Sequence, residues 1–507
     1  MKRLLTFILI ICVLFSALIL ISCTAPELKN FFGIEKSPDN TSGIKEEASE
    51  GNDSEITGDK LPEDSESGET ENIGGAQEIS GNIENDVMFY NSEVNFAFVY
   101  PQGNIVISSL PGCVEKNGSY LLLNVSIEHI DNLIGPDSEE AINEKEALEA
   151  GESGSYPDYS FGPSRKLTKV SDIYVKDFLI LSGYGNTPCD ITFDRKLRFY
   201  NNNYLVEILL SANKDKIMDS MEEYFTDNRT DCSGKKVWGL LKQDEFYEKL
   251  IAGQAPSPAQ EWYDAFEDIA YLLQINDFKG ATGGYSRLID NRIFEKKTGE
   301  NYLISVSYPQ FQSATTGGLN ETINKIIYEQ KILSIIGDFK EEISSYEDKG
   351  LDSDYYLSID YSVYTYNENG ISVCFEIYPY LGGAHGLQYF ETVNFDPGKM
   401  STVEIGELFI SGYDYYSSIS EYCRESLKSQ ISDRCFEPDM QLVSSGTDPY
   451  CADNFQNFLL APYGLIIKFP AYQVAPYAAG SFTVNMPYEE FGNNLNTESI
   501  IFPFLNR

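Results

Sequence analysis

Apolar positions along this chain change period several times, and the changes divide it into regions. From Val87 to Asp227 the large apolar residues come in short runs. Val94 to Tyr100 is an apolar-rich run closed by Pro101-Gln102-Gly103, and Ser119 to Ile127 is a more continuous one. Both predict strands, the second more deeply buried. Ile173 to Gly183, Lys196 to Tyr200 and Tyr204 to Ala212 extend the series. Glu139 to Ala150 predicts a short acidic helix, and Lys214 to Phe225 a helix after the last strand. The period then becomes helical over Asp244 to Ala252 and Pro258 to Leu273, with Gln254 to Pro258 as the break. Trp262, Phe266, Ile269, Leu272 and Leu273 recur at three and four, the spacing of a packed helix face, so Trp262 reads as a core anchor. Gly280 to Gly284 reads as a loop.

A second strand-rich region starts near Arg287. Tyr302 to Tyr308 alternates into Pro309, and Leu319 to Ile336 is amphipathic, with Ile323, Ile326, Ile327, Ile332 and Leu333 on one side. Tyr355 to Tyr366 puts Leu357, Ile359, Tyr361 and Val363 on one face, and Ile371, Val373, Phe375 and Ile377 return after Asn367-Glu368-Asn369-Gly370. Asn-Gly between alternating runs is a strong hairpin pattern. A glycine-rich loop, a strand at Tyr389 to Phe395 and a helix near Tyr413 to Ile431 follow. Phe455 to Leu460 and Leu465 to Phe469 then flank the turn Pro462-Tyr463-Gly464. Strand, helix, antiparallel strands, helix, strands is an α+β order. The expected units are a domain at 87–230, a helical connector at 231–286 and a domain at 287–507.

The first residues have a different character. Lys2 and Arg3 precede an apolar run from Leu4 to Leu20, closed by Ile21-Ser22-Cys23. That is the layout of a secretory signal segment over 1–22, and its close resembles the bacterial lipobox. The expectation is a lipid anchor at Cys23 and a chain facing the outside of a cell membrane. A retained apolar anchor is the alternative, with the same orientation. Residues 23–86 contain the acidic, Ser/Gly-rich stretch Glu46 to Glu84, too poor in apolar groups to offset its ordering entropy. A flexible tether of about 60 residues spans roughly 45 Å.

Charge narrows the partners. Against 37 Lys and Arg stand 78 Asp and Glu, a net charge of −41. Such a surface excludes nucleic acid and anionic membrane as partners, and suits cationic ones or solubility alone. Beyond Cys12 and Cys23 the cysteines are Cys113, Cys189, Cys232, Cys374, Cys423, Cys435 and Cys451. The last four lie close enough in sequence for two local disulfides. No Cys-x-x-Cys pair or Cys/His cluster occurs, so neither a zinc site nor any other cofactor is expected.

Two resemblances add to this reading. Phe96-x-Phe98-x-Tyr100-Pro101, Arg198-Phe199-Tyr200 and Tyr204 to Ile208 resemble a PsbP-like lipoprotein module. Further on stand Tyr308-Pro309, Asn320, Ile323-Asn324, Gly382-Gly383-Ala384-His385-Gly386, Asn394-Phe395-Asp396, and Ile405 with Leu408-Phe409. Phe469, the run Tyr472 to Gly480, and Met486-Pro487-Tyr488 close the series. In that order they resemble the extracellular domain shared by the peptidoglycan deacetylase PdaC and the anti-sigma factor RsiV. In RsiV this domain recognises lysozyme, and in PdaC it accompanies a separate catalytic domain. The resemblance therefore implies binding more than chemistry. Metal-dependent deacetylation needs several histidines, and this chain has only His129 and His385.

The expectation is a non-enzymatic surface lipoprotein that binds a cell-envelope ligand, either wall glycan or a cationic protein such as lysozyme. The contact candidates are Gly383, His385, Tyr472, Pro476 and Tyr477. His385 sits between glycines, in a loop whose backbone calls for positive φ. The two tyrosines flank a rigid proline and bring large contact area at low entropy cost. The alternatives are an envelope scaffold subunit and an enzyme on wall polymer. The enzyme would need clustered carboxylates in a cleft, with Asp360, Glu376 and Asp396 as candidates. His129 reads as a surface residue at a strand end.

Overall fold

The computed structural model describes residues 86–501, except 102–104, 111–120, 133–135, 152–163, 184–190, 213–216, 218–219, 221, 226–228, 231–235, 238–240, 277–284, 297–301, 315–316, 348–353 and 435. The signal segment, Cys23, residues 24–85 of the tether, Cys113, Cys189, Cys232, Cys435, the Gly280 to Gly284 loop and half of the helix expected at Lys214 to Phe225 lie outside the described residues. No helix among the described residues is long and apolar enough to cross a membrane.

The α+β class is borne out. Strands β1 (Asp86–Asn91) and β2 (Phe96–Pro101) form a hairpin, and β3 (Ile105–Ser108) runs parallel to β4 (Leu121–His129). Helix α1 (Pro136–Glu149) precedes the antiparallel run β5 (Ser164–Val170), β6 (Ile173–Gly183), β7 (Ile191–Asn201) and β8 (Tyr204–Ser211). The short pair β9 (Arg229–Thr230) and β10 (Lys236–Val237) leads to helices α2 (Gln243–Ile251) and α3 (Ser257–Tyr271). Strand β11 (Gln274–Ile275) then joins β2.

Strands β12 (Ser286–Lys296) and β13 (Tyr302–Gln312) are antiparallel. A helical crossover leads from β13 to a parallel partner, β14 (Tyr355–Tyr366). It consists of α4 (Gly317–Lys325), a π-helical stretch Ile326–Ile332 and α5 (Leu333–Glu347). Strands β15 (Ile371–Tyr380), β16 (Tyr389–Asp396) and β17 (Ser401–Thr402) complete the main sheet. Helices α6 (Tyr415–Asp433) and α7 (Met440–Gly446) precede a separate three-stranded sheet of β18 (Phe458–Ala461), β19 (Gly464–Phe469) and β20 (Phe482–Met486).

One sheet runs through both regions that the sequence suggested as separate domains. Strand β1 pairs in parallel with β12, Val87 opposite Ser286. Strand β14 shares one edge between two partners, β13 along 355–359 and β3 at 362–363. At the hand-over the backbone is completed from the first region. Ser109 N and Ser108 Oγ donate to Tyr361 O, and Tyr361 N donates to Ser109 Oγ at 3.0 Å. Beside it lies a buried polar cluster. Asp290 accepts from Asn91 Nδ2 at 2.9 Å, Tyr361 Oη at 3.0 Å and Arg292 Nε at 3.1 Å, and Arg292 Nη1 reaches Ile127 O. Such groups are tolerated inside a core only when their bonds are made.

The main core lies between this sheet and the helices, with Trp262, Phe266, Ile323, Ile327, Phe339, Leu357, Ile359 and Phe375 in it. Trp262 is the anchor that its spacing implied, fully buried with Nε1 donating to Leu210 O at 2.9 Å. A second core joins α6 to the C-terminal sheet through Cys423, Leu427, Ile467 and Phe482. A third patch, with Tyr364, Cys374, Phe390, Leu459 and Ile466, seals the far face of the main sheet against β18 and β19. Cys374 and Cys423 are buried free thiols and Cys451 is an exposed one, so no disulfide joins these three. Burial pushes the thiols of Cys374 and Cys423 well up.

Candidate functional site

The loop between β15 and β16 and the turn after β19 meet, although 91 residues separate their contacting positions. The rings of His385 and Tyr477 stack at 3.7 Å between centroids, 13° from parallel. Tyr477 Oη donates to Gly386 O at 3.2 Å, the same carbonyl that His385 Nδ1 approaches at 2.9 Å. Gly386 N donates to Tyr378 Oη at 2.9 Å, so both sides of one glycine are tied down. Burial, with Tyr378 next to it, raises the Tyr477 hydroxyl above its ordinary range. Tyr472 adds a third ring, 5.4 Å from Tyr477 and tilted by 34°. Pro476 caps the short helical turn Tyr477–Ala479 and, like Gly383 and His385, is exposed. All five contact candidates therefore border one surface.

Glycine is required here at two points. Gly383 has φ +104°, a conformation that side chains rarely adopt. At Gly386 a Cβ would stand 2.6 Å from Cζ of Tyr378 and 2.7 Å from the Pro379 carbonyl. Gly386→Ala is expected to cost about 1–3 kcal/mol by overpacking. Urea unfolding measures that loss, and a change in the tyrosine near-ultraviolet circular dichroism would report the displaced stack.

The carboxylate candidates divide. Asp360 on β14 is directly opposite Glu376 on β15, which is in turn opposite Phe390 on β16. Directly opposed residues project to the same face, so the two carboxyls lie side by side. Gln388, from the far end of the glycine loop, donates to Glu376 Oε1. Burial, with Asp360 adding to it, raises the Glu376 carboxyl to about 7. Asp360 is raised too, mainly by burial, against the lowering effect of its bonds from Ser109 (2.9 Å) and Ser358 (3.2 Å). Tyr378 stands two residues along β15 on the same face, about 7 Å on. The carboxyl pair thus lies next to the floor of the aromatic loop.

Asp396 is not part of this pair. It lies six residues from Phe390 along β16, about 20 Å away. Its Oδ1 caps a turn by accepting from Gly398 N and Lys399 N. His129 ends β4 as a surface residue edge-on to Tyr204. Tyr378, Gln388 and Ser109 were not legible as site residues. Only Tyr378 carried a hint, through its alternation with Glu376. Among the described residues no group of His, Cys, Asp or Glu is arranged to hold a metal ion.

A carboxyl that titrates near neutrality beside a second one can take and return a proton at ordinary pH. The non-enzymatic expectation rested on the resemblance, which implies binding more than chemistry, and on there being only two histidines for a metal-dependent deacetylase.

Comparison with known proteins falls on the same part of the chain. Residues 295–388 match the family described as "Deacetylase PdaC", and residues 406–489 match a family of unknown function, DUF3298. A curated relative, the peptidoglycan-N-acetylmuramic acid deacetylase PdaC of Bacillus subtilis, is 24% identical over 177 residues. That alignment covers 35% of this chain and 35% of the relative, so the chain spans about a third of its length. Among solved structures, a DUF3298 family member from Bacteroides fragilis aligns with 44% of this chain and 97% of its own, at 17% identity and a TM-score of 0.33. One from Pseudomonas aeruginosa aligns with 42% and 94%, at 14% identity and a TM-score of 0.30. The match to a deacetylase overturns the expectation that the chain is not an enzyme. Its C-terminal region carries a PdaC-like domain followed by a DUF3298 domain.

Proposed function

We propose that this chain is an enzyme acting on a cell-wall polymer, and that Glu376, with Asp360 beside it, carries its proton transfers. The observation that carries the reading is the opposed carboxyl pair, with Glu376 raised to about 7, next to an exposed aromatic loop. The relative named as a peptidoglycan deacetylase supports wall glycan as the substrate and an acetyl amide as the bond. The Lys2 to Cys23 segment supports a location on the outside of a membrane, held by acylated Cys23.

In this reading Glu376, ionised, takes a proton from a water molecule as its oxygen adds to the acetyl carbon. The carbon–nitrogen bond then breaks, and Glu376 returns the proton to the leaving nitrogen. Acetic acid and an amine result, the acid passing its proton to the amine or to solvent to leave acetate, and the Glu376 carboxylate is restored. Burial raises the proton affinity of Glu376 to the neutral range, and Asp360 beside it adds to the rise.

Incubation of the purified protein with wall glycan between pH 5 and 9 tests this. Acetate release is expected, rising with pH through an inflection near 7 as Glu376 ionises. Neither acetate nor new reducing ends at any pH would sink the reading.

A further inference from the structure

We infer that the shelf formed by Tyr472, Tyr477 and His385 is a sugar subsite that stacks a neutral N-acetylhexosamine ring. The inference rests on the wall-glycan reading above and names the part of the polymer that is held. Its first support is strain. Tyr472 has φ +74°, a left-handed conformation that is unfavourable for a residue bearing a side chain. The residue is 49% exposed, so burial does not offset that cost. Strain of this kind persists where the surroundings enforce it, and it clusters at functional sites.

The surroundings do enforce it. The adjoining Gln473 is pinned by Nε2 bonds to Gly446 O at 2.9 Å and Asn454 O at 3.0 Å. Gly446 fits against Gln473 so closely that a Cβ there would lie 2.1 Å from the Gln473 carbonyl oxygen. The chain therefore aims Tyr472 outward beside Tyr477. His385 covers one face of Tyr477 and is itself exposed. Stacked and bonded through Gly386, these rings lose little freedom when a ligand arrives, which favours affinity.

The surface chemistry selects the occupant. The negative face of an aromatic ring attracts the weakly positive C–H face of a pyranose. A net charge of −41, with Asp360 and Glu376 close by, disfavours nucleic acid and uronate or phosphate polymers. A protein partner needs about 1,000 Å² or more of complementary surface, whereas three rings match one or two sugar units. The exposed Gly383-Ala384 segment, held by Tyr380 Oη donating to Gly383 O at 2.9 Å, forms the rim of the shelf.

Calorimetric titration of the full chain carrying Glu376→Gln, with a β-1,4-linked N-acetylglucosamine tetramer as the probe, tests the inference without turnover. Tyr472→Ala and His385→Ala are each expected to weaken binding about three- to tenfold. Tyr472→Phe keeps the ring and is expected to bind as the parent does, and a polygalacturonate oligomer is not expected to bind. Tetramer binding that survives both alanine changes, or no binding at millimolar tetramer, overturns the subsite. Should the wild type release acetate with shelf variants unchanged in KM, the subsite falls and the enzyme stands. Shelf-dependent binding without acetate release leaves the subsite and removes the enzyme.

Discussion

Replacing Glu376 with Gln is expected to lower acetate release from wall glycan by about a hundred- to ten-thousandfold, the usual range for a positioned acid–base group. The variant keeps shape and size, so the Gln388 and Phe390 neighbours stay in place. It should also change stability in a direction that a bystander would not. Burial raises the Glu376 carboxyl from its ordinary value of 4.5 to about 7. The folded protein therefore holds this proton more tightly than the unfolded chain does. That preference contributes stability below about pH 4.5 and is lost as pH rises through about 7. The amide in the Glu376→Gln variant has no proton to lose, so its unfolding free energy should decline less between those limits. Equal pH slopes for the two proteins would show that Glu376 is not held in the raised state.

Asp290→Ala should cost about 3–5 kcal/mol, the range for removing one partner from a buried ion pair. Asp290 is 2% exposed and accepts from Asn91, Tyr361 and Arg292. Its loss leaves the Arg292 charge and two donors without their acceptor in a dry place. Urea unfolding followed by circular dichroism should show a lower midpoint at an unchanged slope. Adding Arg292→Met should restore part of the loss, because the stranded charge goes with it. A double variant no better than Asp290→Ala would mean that the damage is to packing. Any drop in acetate release should be modest, because Asp290 bonds to neither carboxyl and its charge is the smallest of the influences on Asp360.

The hairpin of β14 and β15 was legible because alternation and Asn-Gly are local patterns. Trp262 was legible for the same reason, at helical spacing. The aromatic shelf was half legible. Both of its segments stood out, by glycines around His385 and by tyrosines around Pro476, but contact across 91 residues leaves no mark on either. Strand β12 was missed because its buried positions include Asp290, and Arg292 lies beside them, so the polar cluster breaks the alternation. Strand β1 was missed because its apolar run, Val87 to Tyr90, is short; it pairs with the adjacent β2 and, 199 residues on, with β12. No disulfide joins Cys374, Cys423 and Cys451, because nearness in sequence does not place two thiols in one core, and Cys374 and Cys423 belong to different ones. Glu376 was named for its residue type alone. Its raised carboxyl depends on burial first and then on Asp360 across the ladder, neither of which the residue type reveals.

The shared edge of β14 also governs when this protein can fold as it is made. Ser109 meets Tyr361 only after 252 further residues have been added, and Asn91 meets Asp290 only after 199. Growing chains fold in units from the front, yet here β1 and β3 emerge with one early neighbour each, β2 and β4, and the strand that covers the other edge still unmade. For most of synthesis β1 and β3 expose bare edges and apolar faces, the state in which strands find wrong partners. Whatever guards a nascent chain must hold residues 86–109 until β14 is out.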